Sequence, residues 1–595
     1  MKLHNLFTAS LLAAALVAPL ANAQTSEPAT DKTWWKHAVI YEIYPRSFQD
    51  TNGDGMGDLN GITQRLDYLK ELGVDAIWIS PMFPSPQVDF GYDISDYRGV
   101  DRQYGTMKDM DRLLAEAKKR NIKILLDFVL NHTSDKHPWF IESASSKNNP
   151  KRDWYIWRDG KNTGTVPCNP AHQNAAPYTP PGCIQPPTNW VSIFGGSAWE
   201  FNDKTKQFYY HAFYTQQPDL NWRNPQVEKA MFDVLRFWMD KGVYGFRLDA
   251  VPELFETVAL KDEALTNKKN KYGDILTTRT NSHDLPEVHD TMRRMRGVVD
   301  SYHDGRVLIG ETYLPNVEDL DKWYGGAKKD ELQLPMDMQV GFTNKLDATR
   351  FRKLIGEAET EIHGSQPLFV FDNHDRDRSW DRYGKFGKTP EQKLAIAKLL
   401  ATMLLTSRST ALMYYGQEIG MTTDKPARKE DVRDPNGIHG WPKEKGRDGE
   451  RRPMQWDSSA QAGFSTNATT WLGVTPNYTT INVAAEKANP NSLLNWYKQL
   501  TALRRNNAAL HEGSMTMINT SDANVLSWVR STADGKMVVV SMNMSAEPQK
   551  IALALPSGKA AQSVHTLVTS DDALKNASTL DVTLAPYASW VAEVK

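Results

Sequence analysis

Residues 245–253 read GFRLDAVPE. An apolar run ends here with Arg247 two positions before Asp249, and in a strand residues two apart face the same side. A carboxylate so placed can attack carbon. Three further runs share the pattern. IKILLDFVLNH ends in Asp127, Asn131 and His132, RVLIGETY ends in Glu311, and PLFVFDNHD ends in His374 and Asp375. Each is short, rich in Val, Ile, Leu and Phe, and followed by a stretch of helical period, the signature of buried parallel strands. Polar residues at the C-terminal ends of successive strands are what a (β/α)8 barrel gathers at one face.

Working outward, AVIYEIYPRSF, AIWISPMF and IKILLDFV read as the first three strands, with LNGITQRLDYLKEL and TMKDMDRLLAEAKKR as helices between them. After the GFRLDAV and VLIGETY strands, PMDMQVGF, LFVFDNHD and ALMYYGQE complete eight. The alternation breaks over residues 134–215, rich in Pro, Asn, Gly and Trp, a stretch too long for a simple loop. The expected architecture is α/β, a TIM barrel over 32–133 and 216–513. It carries an inserted irregular domain after strand 3 (134–215) and a C-terminal antiparallel β-sandwich domain over 514–595, where VLSWVRS, KMVVVSMNM and SWVAEV alternate.

Composition narrows the partners. With 595 residues, 24% charged and a formal charge of -2, the chain has no basic field for nucleic acid. Residues 1–23 join one Lys to an apolar stretch and end in Ala21-Asn22-Ala23, a secretory signal pattern. A periplasmic or secreted protein with no membrane partner after cleavage, a monomer or weak oligomer, is expected. The two cysteines, Cys168 and Cys183, are expected to form a disulfide in that oxidising compartment. Two thiols alone make a poor zinc site.

Cleaving a glycosidic bond with retention requires two carboxyls, one attacking the anomeric carbon and one protonating the departing oxygen. Asp249 and Glu311 are the right types. Arg247 would hold the nucleophile ionised, whereas Glu311 needs apolar surroundings and nearby carboxylates to raise its pKa. His132 and His374 can donate to sugar hydroxyls and Asp375 can accept from them. Taken singly, each residue also has a structural reading, as an ion pair, a helix cap or a core histidine. Four strand ends of one chemical class favour the functional one.

The blocks GYDISDY (91–97), DFVLNH (127–132), QPDLNW (217–222), GFRLDAV, IGETY, FDNHD (371–375) and RDGERRPMQWD (447–457) stand in one order along the chain. In these the chain resembles glycoside hydrolase family 13, the α-amylase family, and most of all its α-glucosidase and oligo-1,6-glucosidase branch. The resemblance makes Asp249 the nucleophile, Glu311 the acid/base and Asp375 the carboxylate that binds sugar hydroxyls. It assigns Tyr92, Asp93, His132, Arg247, His374 and Arg451 to the terminal glucose, with Asp127 and Asn131 in support. Pro252 and Glu253 stand where polymer-cutting amylases carry a Lys-His pair, which implies an exo-acting enzyme on short substrates. Ala250 after the nucleophile implies α-1,4 linkages. Asp377 stands where the family has Pro, which keeps glucosyl transfer or isomerisation open and leaves Arg378 as a contact to the second sugar. A catalytically silent sugar-binding homologue is the alternative of another class, disfavoured because all three carboxylates are present.

DTNGDGMGD (50–58) begins like an EF-hand loop, although position 12 is Gly61 rather than Glu. It resembles a calcium-binding loop of that branch, so a structural Ca²⁺ on Asp50, Asn52, Asp54, Met56 and Asp58 is expected. No organic cofactor is implied.

Overall fold

A computed structural model describes residues 31–161, 166–167, 183–556, 558 and 560–595. Eight parallel strands, β1 Val39–Ile43, β2 Ala76–Ile79, β3 Lys123–Phe128, β4 Gly245–Leu248, β5 Val307–Gly310, β6 Leu334–Asp337, β7 Leu368–Val370 and β8 Thr410–Tyr414, close into a barrel. Each pairs with its neighbours in sequence, and β8 returns to β1. The strands expected from the sequence are the strands observed.

Alternation along each strand sorts the side chains. Ile40, Trp78, Leu125, Ile309, Met336, Val370 and Leu412 form one buried cluster inside the barrel. Their strand neighbours Tyr41, Ile77, Leu126, Phe246, Leu308, Phe369 and Met413 belong to the larger cluster under the helices. Each such buried aliphatic side chain contributes about 1.5–3 kcal/mol. The parity of Leu125 and Ile309 carries forward to Asp127 and Glu311, so both point inward at the C-terminal end. Arg247 pairs in register with Asp127 on one side and Ile309 on the other.

The helices follow from their sequence. Pro225–Asp240 starts at Asn224, whose side chain accepts from Gln226 N, has Pro at its first position, and buries Val227, Met231, Leu235 and Trp238 on one face. Thr106 and Asp109 form a capping box at the head of Met107–Lys119.

The insertion after β3 is more ordered than its composition suggests. It has a helix, Pro138–Ser145, and a three-stranded antiparallel sheet of Trp157–Arg158, Gln207–Tyr210 and Trp199–Asn202. Its tryptophans Trp154, Trp157, Trp190 and Trp199 are buried. A hairpin the sequence did not announce, Leu265–Lys269 with Ile275–Thr277, follows β4. It docks on the insertion: Trp190 Nε1 donates to Lys261 O at 2.9 Å and Gly196 N to Asp274 at 2.9 Å.

From Ser514 onward a five-stranded antiparallel sheet faces a two-stranded one across Val529, Val539, Trp590, Ile551 and Leu584. The expected Cys168–Cys183 disulfide and the 1–23 signal segment lie outside the described residues. Among the described residues no helix is long and apolar enough to cross a membrane.

Candidate active site

One guanidinium organises the floor of a cavity of about 650 Å³ at the C-terminal end of the barrel. Arg247 is 1% exposed and donates through Nη1 to Asp127 at 3.0 Å and to Asp249 at 2.6 Å. Its Nη2 pairs with Glu311 at 2.7 Å, and the ring of Trp78 lies 4.9 Å from the guanidinium carbon. The arrangement follows from register. Asp127, Arg247 and Asp249 occupy inward positions on adjacent strands, and Glu311 stands one inward step beyond Ile309. Burial pushes the Asp249 carboxyl well up, Arg247 opposes this, and the charges of Glu311 and Asp127 reinforce it. Burial likewise pushes Asp127 up to about 6 against the pull of Arg247.

Glu311 is not in the apolar surroundings the sequence reading called for. Its Oε2 faces the Arg247 guanidinium and accepts from Ala250 N at 3.0 Å. Ala250 can point its amide there because it adopts a left-handed conformation, φ 41°.

The wall above is a second charged cluster. Asp375 Oδ1 accepts from Arg447 at 3.0 Å and from Arg451 at 2.9 Å. Arg447 also reaches Asp89 at 2.8 Å and Asp434 at 2.9 Å. Burial would raise Asp375, but His374, Arg447 and Arg451 hold it well below the usual carboxylate range. Asp434, raised by burial but lowered more by Arg447, sits at about 2.

His374 is locked from three sides. Its Nδ1 meets Glu42 at 2.5 Å, its Nε2 meets Tyr92 Oη at 2.8 Å, and its ring stacks on Tyr92 at 5.4 Å. Burial lowers the imidazole and raises Glu42, so the pair is held without net charge. Tyr92 Oη donates to Asp127 at 3.1 Å. His132 lines the cavity with Nδ1 buried and unpartnered, and burial drives it down to about 3. A neutral imidazole there can give or take a hydrogen bond with a ligand.

The structure brings Asp249, Glu311, Asp375, Tyr92, His132 and His374 to the cavity lining, with Arg247 beneath them. Two expected contacts are displaced by four residues. Asp93 is turned away: its carboxylate accepts from Ser85 Oγ and the amides of Val88 and Asp89, holding the turn, and Asp89 faces the cavity instead. Arg451 is fully buried behind Asp375 and donates to His374 O at 2.8 Å, so of these two arginines it is Arg447 that reaches the lining. Arg378 is also buried, donating to Tyr415 O and Glu450 O rather than facing a second sugar. Missed altogether were Asn436, the hairpin residues Lys271 and Thr277, and Thr278 and Arg279 just after the hairpin. Tyr214 and Tyr272 both donate to Asn436 Oδ1, so insertion and hairpin meet there.

In the 50–58 loop each oxygen-bearing side chain turns back on the chain. Asp50 accepts from the amides of Asn52, Gly53 and Gly55, Asn52 from Asp54 N, and Asp54 from Met56 N, while Asp58 caps Leu59–Gln64. Among the described residues no group of three or more His, Cys, Asp or Glu is gathered tightly enough to hold a metal. The donors are nevertheless all oxygen, as a hard cation requires. Gly53 and Gly55, at φ 78° and 89°, let the loop curl.

Comparison with known proteins places this geometry. The catalytic-domain model of the α-amylase family matches residues 42–513. The oligo-1,6-glucosidase of Parageobacillus thermoglucosidasius is 37% identical over 596 residues, covering 95% of this chain and 100% of its own. The α-glucosidase of Apis mellifera is 39% identical over 524 residues, 87% of this chain and 86% of its own. The crystal structure of the trehalulose synthase of Pseudomonas mesoacidophila MX-45 superposes with a TM-score of 0.82 at 37% identity, covering 94% of this chain and 99% of that one. An isomaltulose synthase mutant from Erwinia rhapontici NX5, solved with its natural substrate sucrose, gives 0.81 at 35% identity with the same coverage.

Proposed function

We propose, from the premise that this chain belongs to the α-amylase family, glycoside hydrolase family 13, and is a glycoside hydrolase, that it is an exported exo-acting α-glucosidase. It would release glucose from the non-reducing end of short α-glucosides, α-1,4 bonds preferred. One observation carries the reading: Arg247 grips Asp249 and Glu311 on the two prongs of one guanidinium. Two carboxyls drawn to one guanidinium support retention, which uses a separation of about 5 Å, over inversion, which places a water between more widely spaced carboxyls.

In the first step Asp249 attacks the anomeric carbon while Glu311 gives its proton to the departing glycosidic oxygen, leaving a glucosyl ester on Asp249. In the second, Glu311 takes a proton from water, whose oxygen attacks the same carbon and frees Asp249. Asp375, Asp89 and Arg447 are placed to hold hydroxyls of the glucose ring. The Asp89–Arg447 pair closes that side of the cavity, which suits a substrate entering end first. Ala250 supports the α-1,4 preference through the family resemblance.

Product profiles on maltose, isomaltose, sucrose and trehalose test this, with the anomer of the glucose released from p-nitrophenyl α-glucoside followed by NMR. Initial α-glucose is expected, and initial β-glucose refutes retention. A second reading shares the first step and passes the glucosyl group to another sugar or isomerises the substrate. The likeness to trehalulose and isomaltulose synthases favours it, and new disaccharides with little free glucose would establish it.

Export to periplasm or medium predicts a mature chain beginning at Gln24, read by N-terminal sequencing. A structural Ca²⁺ on Asp50, Asn52, Asp54, the Met56 carbonyl and Asp58 is proposed from the loop's donor set. An ion present at a hundred times its Kd stabilises by about 2.7 kcal/mol, so chelation lowers the melting temperature. An unchanged melting temperature refutes the site.

A further inference from the structure

Beside the catalytic cavity lies a second depression of about 530 Å³, and the two share Lys271, Asp375, Arg376 and Arg447 on their common rim. It begins where a leaving group would emerge, next to Asp375, and its lining is almost wholly charged.

Its acids are accounted for one by one. Asp375 is held by two arginines, Asp377 pairs with Lys425 at 2.7 Å, and Glu444 pairs with Lys271 at 3.0 Å. Asp381 accepts from Thr423 N at 2.6 Å. Glu450 is 1% exposed with Oε2 unpartnered, and burial pushes its carboxyl up to about 8, leaving it mostly protonated at neutral pH. Among the cations, Arg382 is spent on the carbonyl oxygens of Asp377, Gly341 and Phe371.

Arg376 is different. Among the described residues its guanidinium makes no hydrogen bond or ion pair, and it stands 5.8 Å from the ring of Tyr313 and 5.2 Å from that of Phe342. Lys385, on the same lining, meets among the described residues only the ring of Phe386. With Asp375, Asp377 and Glu444 paired to cations and Glu450 mostly protonated, Asp381 alone among the acids of this lining stands against Arg376, Arg382 and Lys385, so its free charge is positive. A planar guanidinium propped on aromatic faces, its donors unspent, is built to meet a carboxylate or phosphate with two parallel hydrogen bonds.

We propose that this depression is a leaving-group subsite for an oxyanion, so that the enzyme favours α-glucosides whose departing unit carries a carboxylate or phosphate, with Arg376 as the recognising residue. The inference rests on the α-glucosidase reading for the direction in which the leaving group departs. Binding separates the two. In an Asp249→Asn background, calorimetry compares maltose with maltobionate, whose leaving unit is an aldonate, and with maltose phosphorylated on O6 of its reducing glucose. The charged ligands are expected to bind about tenfold more tightly, the size of one charge-assisted bidentate contact. That margin should vanish on adding Arg376→Gln and shrink on adding Lys385→Gln. The larger margin identifies which oxyanion fits.

Equal affinity for maltose and both charged ligands overturns the subsite even if maltose is hydrolysed rapidly. A margin that survives Arg376→Gln overturns the role of Arg376. A margin that depends on Arg376 in an enzyme that leaves maltose intact sustains the subsite and sinks the proposed function instead.

Discussion

Two arginine centres lie within one cavity, and they are built in opposite ways. Arg247 draws Asp127, Asp249 and Glu311 together from three adjacent strands, where hydrogen-bonded register fixes which residues share a layer. Arg447 draws Asp89, Asp375 and Asp434 from three loops whose positions no ladder sets. The strand-built centre holds the groups proposed to make and break bonds, and the loop-built centre holds those proposed to grip the sugar. A barrel can therefore keep its chemistry while its loops change what it accepts.

The largest test of this contrast is Asp249→Asn, expected to lower kcat at least about 10⁴-fold with the fold intact by circular dichroism. Retention of substantial activity would remove the nucleophile from the strand-built centre.

Arg247→Gln comes next, with a loss in kcat of about a hundredfold. Burial already raises Asp249, and the guanidinium is what opposes it. Without that charge the nucleophile ionises only at higher pH, so the acid limb of the kcat/KM profile moves upward. An unmoved limb would mean that Arg247 only packs.

In the loop-built centre, Asp89→Asn is expected to raise KM about tenfold by weakening one charge-assisted contact. Asp93→Ala should instead cost stability, about 1–3 kcal/mol for the turn donors it leaves unmet, with a smaller change in KM. The reverse result would return the sugar contact to Asp93.

The smallest effect concerns acid. Asp434 is held at about 2, below its unfolded value near 3.9. Its contribution to stability is complete above that unfolded value and is lost as pH falls toward 2. Asp434→Asn should narrow the gap between melting temperatures at pH 7 and pH 3, and an unchanged gap would show that the Arg447 pairing gives no acid-labile stability.

The same division explains what could be read from sequence. The eight strands, and the inward positions of Asp127, Arg247, Asp249 and Glu311, follow from a period of two that survives any loop variation. Asp89 and Arg447 were missed by four residues each because GYDISDY and RDGERRPMQWD each lie beside or contain two plausible candidates. An aspartate spent on its own turn looks, in one dimension, like one facing a cavity. The hairpin at 265–277 gave no signal because its first strand reads LTNKK and is exposed almost throughout, with little apolar alternation to mark a strand. Glu311 stands at its strand end with carboxylates nearby as expected, but beside a guanidinium rather than in apolar surroundings, since only the folded chain shows that one guanidinium serves three acids.

That three-to-one ratio has a further consequence. Three carboxyl groups share a single fixed positive charge at the barrel's mouth, and even with Glu311 carrying the proton it is proposed to donate, two acids remain against one guanidinium, so the site is short of cation before any substrate arrives. A sugar passing through an oxocarbenium-like transition state develops positive charge at the anomeric carbon and ring oxygen, and supplies part of what is missing. Small protonated amines that mimic this charge would be drawn to the same vacancy of potential.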